Sequence, residues 1–303
     1  MIRRPPRSTL DRSSAASDVY KRQAIDPMNE NVWYVAVGSG GVWKTENAGT
    51  TWSPIADNMP FYSTGCITID PHNNASIWLG TGENVGGRHV GIGHGVYHSN
   101  DGGKSWKDMG LKKSEHISKI IVHPEDPNTV WVASQGPLWS PGGERGLYKT
   151  TDGGKTWKNT LDINEWTGVT DLVIDPTNPD VLYAASWQKH RNVAALIGGG
   201  PGTSLYKSVD GGNNWSKIDK GLPRSNKGKI GLAISPMQPN VLYAAVELDK
   251  RAGAVYRSDN SGGSWKKMSD TVSGGTGPHL SLIHISEPTR RRGISYAVFC
   301  LKK

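Results

Sequence analysis

The chain has 303 residues and a formal net charge of +8, but residues 1–23 carry six basic and two acidic side chains and residues 280–303 carry five and one. The remaining 24–279 hold 24 of each sign and are formally neutral, which removes the electrostatic footprint expected of a nucleic-acid or acidic-membrane partner. One cysteine in that region, Cys66, excludes an internal disulfide there, and no apolar run approaches the ~20 residues that a membrane-spanning helix needs.

In chain order, residues 1–23 have no apolar core of the kind a signal peptide carries. The stretches Arg3-Arg4-Pro5-Pro6-Arg7 and Asp18-Val19-Tyr20-Lys21-Arg22-Gln23 resemble translated sequencing-adapter sequence, and so do Ser281 to Arg290 near the other end. Both tails, 1–23 and 280–303, are therefore expected to be non-native and disordered, and 24–279 to be the folded region. A native leader is expected upstream of Ala24.

The folded region repeats a set of four short segments, and their alternation predicts strands. The first ends in proline, as in Cys66 to Pro71, Lys119 to Pro124, Asp171 to Pro176 and Gly231 to Pro236, with Ile25-Asp26-Pro27 the end of an earlier copy. Apolar residues two and four positions before each proline give the period of a strand with one buried face. After a polar turn come Val32 to Val35, Ile77 to Gly80, Val130 to Ala133, Val181 to Ala184 and Val241 to Ala244. A variable loop then leads to Gly41 to Lys44, Gly95 to His98, Gly146 to Lys149, Ser204 to Lys207 and Ala254 to Arg257.

The third segment is followed each time by an octet of pattern [ST]-x-[DN]-x-G-x-[STN]-W. Its copies end at Trp52, Trp106, Trp157, Trp215 and Trp265. The Asn or Asp (Asn47, Asp101, Asp152, Asp210, Asn260) can accept backbone N–H groups just downstream, and the glycine can take positive φ, so the octet predicts a tight turn into a fourth strand starting at Trp. Too few carboxylates alternate in it for a calcium cage. A period of about 50 residues with four strands per unit predicts an all-β fold, a β-propeller of about five visible four-stranded blades.

The octets resemble Asp-boxes, or BNR repeats. Together with the Ile-Asp-Pro and Val-Leu-Tyr-Ala segments they resemble the sortilin-type (Vps-ten) propeller, and also the propellers of xyloglucan-active glycoside hydrolases and of photosystem assembly factors. The resemblance implies a fragment of a larger propeller, exported or at the cell surface, with a polypeptide or an oligosaccharide as its ligand.

Strand parity places the proline turns and the octets on one face and the long, irregular loops on the other, where binding residues on a rigid scaffold usually lie. Each long loop between second and third strands carries one arginine, Arg88, Arg145, Arg191 and Arg251, whose forks could hold a carboxylate. Trp139, Trp166 and Trp187 fall outside the repeat positions, on the same face, and are candidate platforms for a sugar or a peptide side chain. A glycosidase would need two facing carboxylates. The candidates are Glu83, Glu115, Glu144, Glu165, Asp171 and Glu247, among which spacing selects no pair.

Gly91-Ile92-Gly93-His94-Gly95 has no helix after it and is not expected to hold a nucleotide. His89, His94, His116 and His190 lack metal-ligand spacing and are expected to be solvated. No cofactor and no metal are expected. The sequence thus predicts a propeller that binds a polypeptide or glycan on its variable face, with a glycoside hydrolase as the alternative.

Overall fold

The computed structural model describes residues 23–84, 90–248 and 252–272. They form five four-stranded antiparallel sheets that follow one another along the chain. The first blade is β1 (Gln23–Ile25), β2 (Trp33–Val37), β3 (Gly41–Thr45) and β4 (Ser53–Pro54); the second is β5 (Thr64–Asp70), β6 (Asn73–Thr81), β7 (Val96–Ser99) and β8 (Lys107–Asp108). The third is β9 (Ile117–Val122), β10 (Val130–Ser134), β11 (Gly146–Thr150) and β12 (Lys158–Leu161). The fourth holds β13 (Thr167–Asp175), β14 (Asn178–Gln188), β17 (Leu205–Ser208) and β18 (Ser216–Lys217), with the small hairpin β15 (His190–Arg191) and β16 (Leu196–Ile197) inserted in its long loop. The fifth is β19 (Lys227–Ile234), β20 (Leu242–Leu248), β21 (Ala252–Ser258) and β22 (Lys266–Val272). No helix among the described residues is long and apolar enough to cross a membrane.

The core lies between blades. Trp78 and Val96 of the second blade pack with Ile117, Ile120 and Val132 of the third, and Trp131, Ala133 and Leu147 of the third with Val169, Leu172 and Leu182 of the fourth. Tyr183 and Leu205 continue the series against Ile230, Leu232 and Leu242 of the fifth. Each sheet thus buries its apolar side chains against the next, as expected of units that cannot cover both of their faces alone.

First strands lie side by side in successive blades, and hydroxyls bond across them: Thr68 Oγ1 donates to Ile120 O (2.9 Å) and Ser118 Oγ to Val169 O (2.9 Å). The approach is close enough that a Cβ added at Gly65 would lie 1.9 Å from Ile117 O, so glycine is required there.

The octets fold as their chemistry predicts. Ser99 Oγ donates to Asp101 Oδ1 (2.8 Å) and accepts Gly103 N (2.8 Å), while Asp101 Oδ1 accepts Ser105 N (2.9 Å). Gly103 has φ +89°, and a Cβ on it would lie 2.4 Å from Ile55 Cδ1 of the preceding blade. Asn47 and Asn260 make the same turn with one change: their amide nitrogens donate to Thr51 Oγ1 (2.9 Å) and Ser264 Oγ (3.0 Å). In the second octet the hydroxyl donates instead, from Ser105 Oγ to Asp101 Oδ2 (2.5 Å). These bonds hold the Asp101 carboxyl down at about 2.

The fourth strands start just after the tryptophan, not at it. The indole is held elsewhere: Trp106 Nε1 donates to Ile55 O (3.1 Å), Trp157 Nε1 to Met109 O (2.7 Å) and Trp265 Nε1 to Ile218 O (2.8 Å), each in the blade before. In these three blades the ring is a stitch to the blade before, whereas Trp52 Nε1 donates to Gly49 O of its own octet (3.1 Å).

Candidate functional site

On the variable face three loops are tied to one another by backbone bonds. Gly142 N donates to Glu165 O (2.8 Å), Lys189 N to Trp166 O (3.1 Å) and Arg191 N to Leu138 O (3.0 Å). The third and fourth blades thereby share one continuous rim. It carries one ring–cation pair and one pair of rings: the Arg191 guanidinium lies 6.0 Å from the centre of the Trp139 ring, and the Trp166 and His190 rings are 4.2 Å apart. Trp139 is 43% exposed. A half-exposed indole beside a guanidinium offers a flat apolar surface next to a fixed positive charge, which suits the apolar face of a sugar ring.

The other ligand-binding candidates are placed differently. Arg145, expected on the rim, is 3% exposed. Its Nε donates to Gly142 O (2.8 Å), Nη1 to Gln135 O (2.8 Å), and Nη2 to Ser140 O (2.7 Å) and Pro137 O. The fork therefore clamps its own loop, and those donors are not offered to a ligand. Burial lowers Arg145 to about 10, against the opposing pull of Glu115 and Glu165, so it stays charged at neutral pH.

Trp187, expected as a platform, is 2% exposed and donates Nε1 to Gly198 O (2.8 Å), so its ring fills the base of the loop. Arg88 and Arg251 lie outside the described residues.

Four of the six candidate carboxylates are engaged. Glu83 Oε1 accepts Ser39 Oγ (2.7 Å), and Glu144 Oε2 accepts Lys113 N (2.7 Å). Asp171 sits within β13, where Oδ1 accepts Leu172 N (3.0 Å) and Oδ2 accepts Leu232 N of the fifth blade (2.8 Å). It joins two blades and does not reach out from a loop. Glu247 Oε2 accepts Lys229 N (3.1 Å), and burial raises its carboxyl. Glu115 and Glu165 act on the Arg145 charge from separate loops.

Sequence reasoning missed a polar cluster at the axial end of these loops, made by one or two residues from each of four blades. Lys189 Nζ donates to Gln135 Oε1 (2.7 Å), Gln135 Nε2 donates to Asn84 Oδ1, and Lys229 Nζ donates to Asn84 O and Oδ1 (both 2.9 Å). Trp187 lies between the two lysines, its ring centre 5.3 Å from each Nζ. His116, expected to be solvated, is fully buried in the same place, and Gln135 N donates to its carbonyl (2.9 Å). Burial, with Lys189 nearby, keeps the imidazole well below its ordinary range. The sequence signal was the Lys189-His190-Arg191 run at the end of β14, which reads as an exposed basic stretch until alternation turns Lys189 inward. Among the described residues no group of three His, Cys, Asp or Glu side chains converges to hold a metal.

This architecture, with its regular octet face and elaborated loop face, is that of a β-propeller related to the sortilin and xyloglucanase propellers. Residues 94–222 match the family model for sortilin, neurotensin receptor 3. Over 212 residues the chain is 24% identical to a probable oligoxyloglucan-reducing end-specific xyloglucanase of Neosartorya fischeri, covering 63% of this chain and 23% of that protein. Over 230 residues it is 24% identical to xyloglucanase Xgh74A of Acetivibrio thermocellus, covering 65% of this chain and 25% of the relative. The chain thus spans about a quarter of the length of the curated relatives it matches. In three dimensions it is similar to the crystal structure of an ancestral GH74 enzyme, with a TM-score of 0.65 and 23% identity over 82% of this chain and 31% of that one.

Proposed function

We propose that residues 24–279 are an Asp-box propeller module, part of a larger exported protein, that binds a polypeptide or glycan on its variable loop face, and that a glycan is the favoured ligand. The observation that carries this is the rim of Trp139, Arg191, Trp166 and His190, held in one surface by backbone bonds between three loops. Preorganised aromatic surface loses little side-chain entropy on binding. The names of the curated relatives make xyloglucan oligosaccharides the first glycans to test.

The test is a panel of plant and bacterial oligosaccharides titrated against the wild type and Trp139→Ala. Loss of one stacked ring should weaken binding by about tenfold, with little change in Tm because the side chain is half exposed. Equal affinity in the variant would contradict the proposal.

A glycoside hydrolase is the second reading. It is favoured by Glu115 and Glu165, whose carboxylates make no hydrogen bond among the described residues and which both bear on Arg145. Product release that disappears in Glu165→Gln or Glu115→Gln would establish it. Release that survives both variants would remove this pair from consideration.

A further inference from the structure

Four side chains that carry or can take a positive charge influence one another at the axial cluster: His116, Arg145, Lys189 and Lys229. Lys189 is fully enclosed and uses one donor, toward Gln135 Oε1 (2.7 Å). His116 is also fully enclosed, and neither ring nitrogen makes a well-formed hydrogen bond, the Glu83 backbone being the one polar group near enough to act on the ring that way. Neither Lys189 nor Arg145 takes part in an ion pair among the described residues. Glu115 offsets both charges only from a distance.

The neighbouring amides do not relieve this. Gln135 Oε1 already accepts Lys189, and Asn84 Oδ1 already accepts both Gln135 Nε2 and Lys229 Nζ. Arg145 is committed to four carbonyls. An enclosed ammonium with unspent donors beside an enclosed imidazole is costly unless something satisfies the donors and offsets the charge. A water molecule would do the first; a small anion would do both.

We propose that a compact monovalent anion, chloride or a free carboxylate of the size of acetate, binds at Lys189 and His116 in the axial cluster, in the field of Arg145 and Lys229. Lys189 donates to the anion directly. His116 donates through whichever ring nitrogen carries its proton. The enclosure by Trp187 and the loop backbone selects for small size. This site is separate from the rim of Trp139 and Trp166 and does not depend on what that rim binds.

The experiment follows the Tm of the wild type in sodium chloride and in sodium acetate, against sodium HEPES at matched ionic strength. Above the dissociation constant, Tm should rise by roughly 3–5 °C for each tenfold increase in chloride or acetate, and stay flat in HEPES. Lys189→Met keeps the side-chain length and removes the charge, and should abolish the rise. A flat wild-type response, or the same rise in Lys189→Met, would overturn the proposal. If that variant does not fold, chloride NMR on the wild type decides: the chloride line should broaden with protein and sharpen again on adding acetate. No broadening would overturn the proposal equally.

Discussion

The two faces of the propeller are held together in opposite ways. On the octet face the bonds that close each turn span no more than four residues, as those of Asp101 with Ser99 and Ser105 do, and single side chains such as Trp106, Lys149 and Lys207 reach across to another blade. On the loop face the bonds run over long sequence distances: Lys189 to Gln135, Lys229 to Asn84, Leu232 N to Asp171. The first face is five near-copies of one local solution. The second is a single network in which four blades each supply a part, and it encloses charge where the first leaves it in water.

That difference predicts a hierarchy of effects. Arg145→Ala should be the most damaging of the substitutions considered, about 3 kcal/mol in urea unfolding, because four carbonyls lose a charged donor together. A loss below 1 kcal/mol would mean that water replaces the fork freely. Asp101→Ala on the other face should cost about 1 kcal/mol, the scale of a lost local cap. A much larger loss would show that the octet holds blades together through more than its own turn.

Acid should separate the two faces. The His116 imidazole is depressed below its ordinary value, so the folded state resists protonation that the unfolded chain accepts, and stability is lost as pH falls below about 6.5. Lys189 is depressed in the same sense by burial, Arg145 and Lys229, but its cost begins as pH falls below the ordinary lysine range and so does not mark the acid window. Asp101 is depressed as well, but from 3.8 to about 2, and its contribution is lost only as pH falls through that lower window. Protection against hydrogen exchange, taken relative to the intrinsic rate at each pH, should therefore fall between pH 7 and pH 5 at the loop amides of Gln135, Gly142 and Lys189 while that of Gly103 and Ser105 holds. Simultaneous loss of both would contradict the separation. Asn47→Asp should change stability least, by within about 0.5 kcal/mol, since both side chains close this turn in the same chain; Tm alone would check it.

The same contrast explains what could be read from the sequence. The octets were legible because a hydroxyl, an acid or amide and a glycine at fixed offsets define a turn without reference to the rest of the chain. The strands around Val130, Val181 and Val241 followed from period and repetition. The rim was half legible: Trp139, Trp166 and Arg191 stood outside the repeat, and the structure pairs Trp139 with Arg191 and Trp166 with His190. Arg145 and Trp187 looked equivalent to these in sequence, yet they face inward, and only the path of the backbone between Gln135 and Gly146 and between Trp187 and Gly202 decides that. His116 was read as solvated and Lys189 was not singled out, because nothing local announces burial at the axis, where strands 50 or more residues apart converge.

On the proposed reading the octets build the fold and the rim binds the ligand. The most direct test is one crossed measurement, affinity for a glycan ligand and Tm on the same samples of wild type, Trp139→Ala and Asp101→Ala. Trp139→Ala should weaken binding by about tenfold at nearly constant Tm, and Asp101→Ala should lower Tm at constant affinity. The reverse pattern, affinity lost in Asp101→Ala and retained in Trp139→Ala, would contradict it and move the binding site to the octet face.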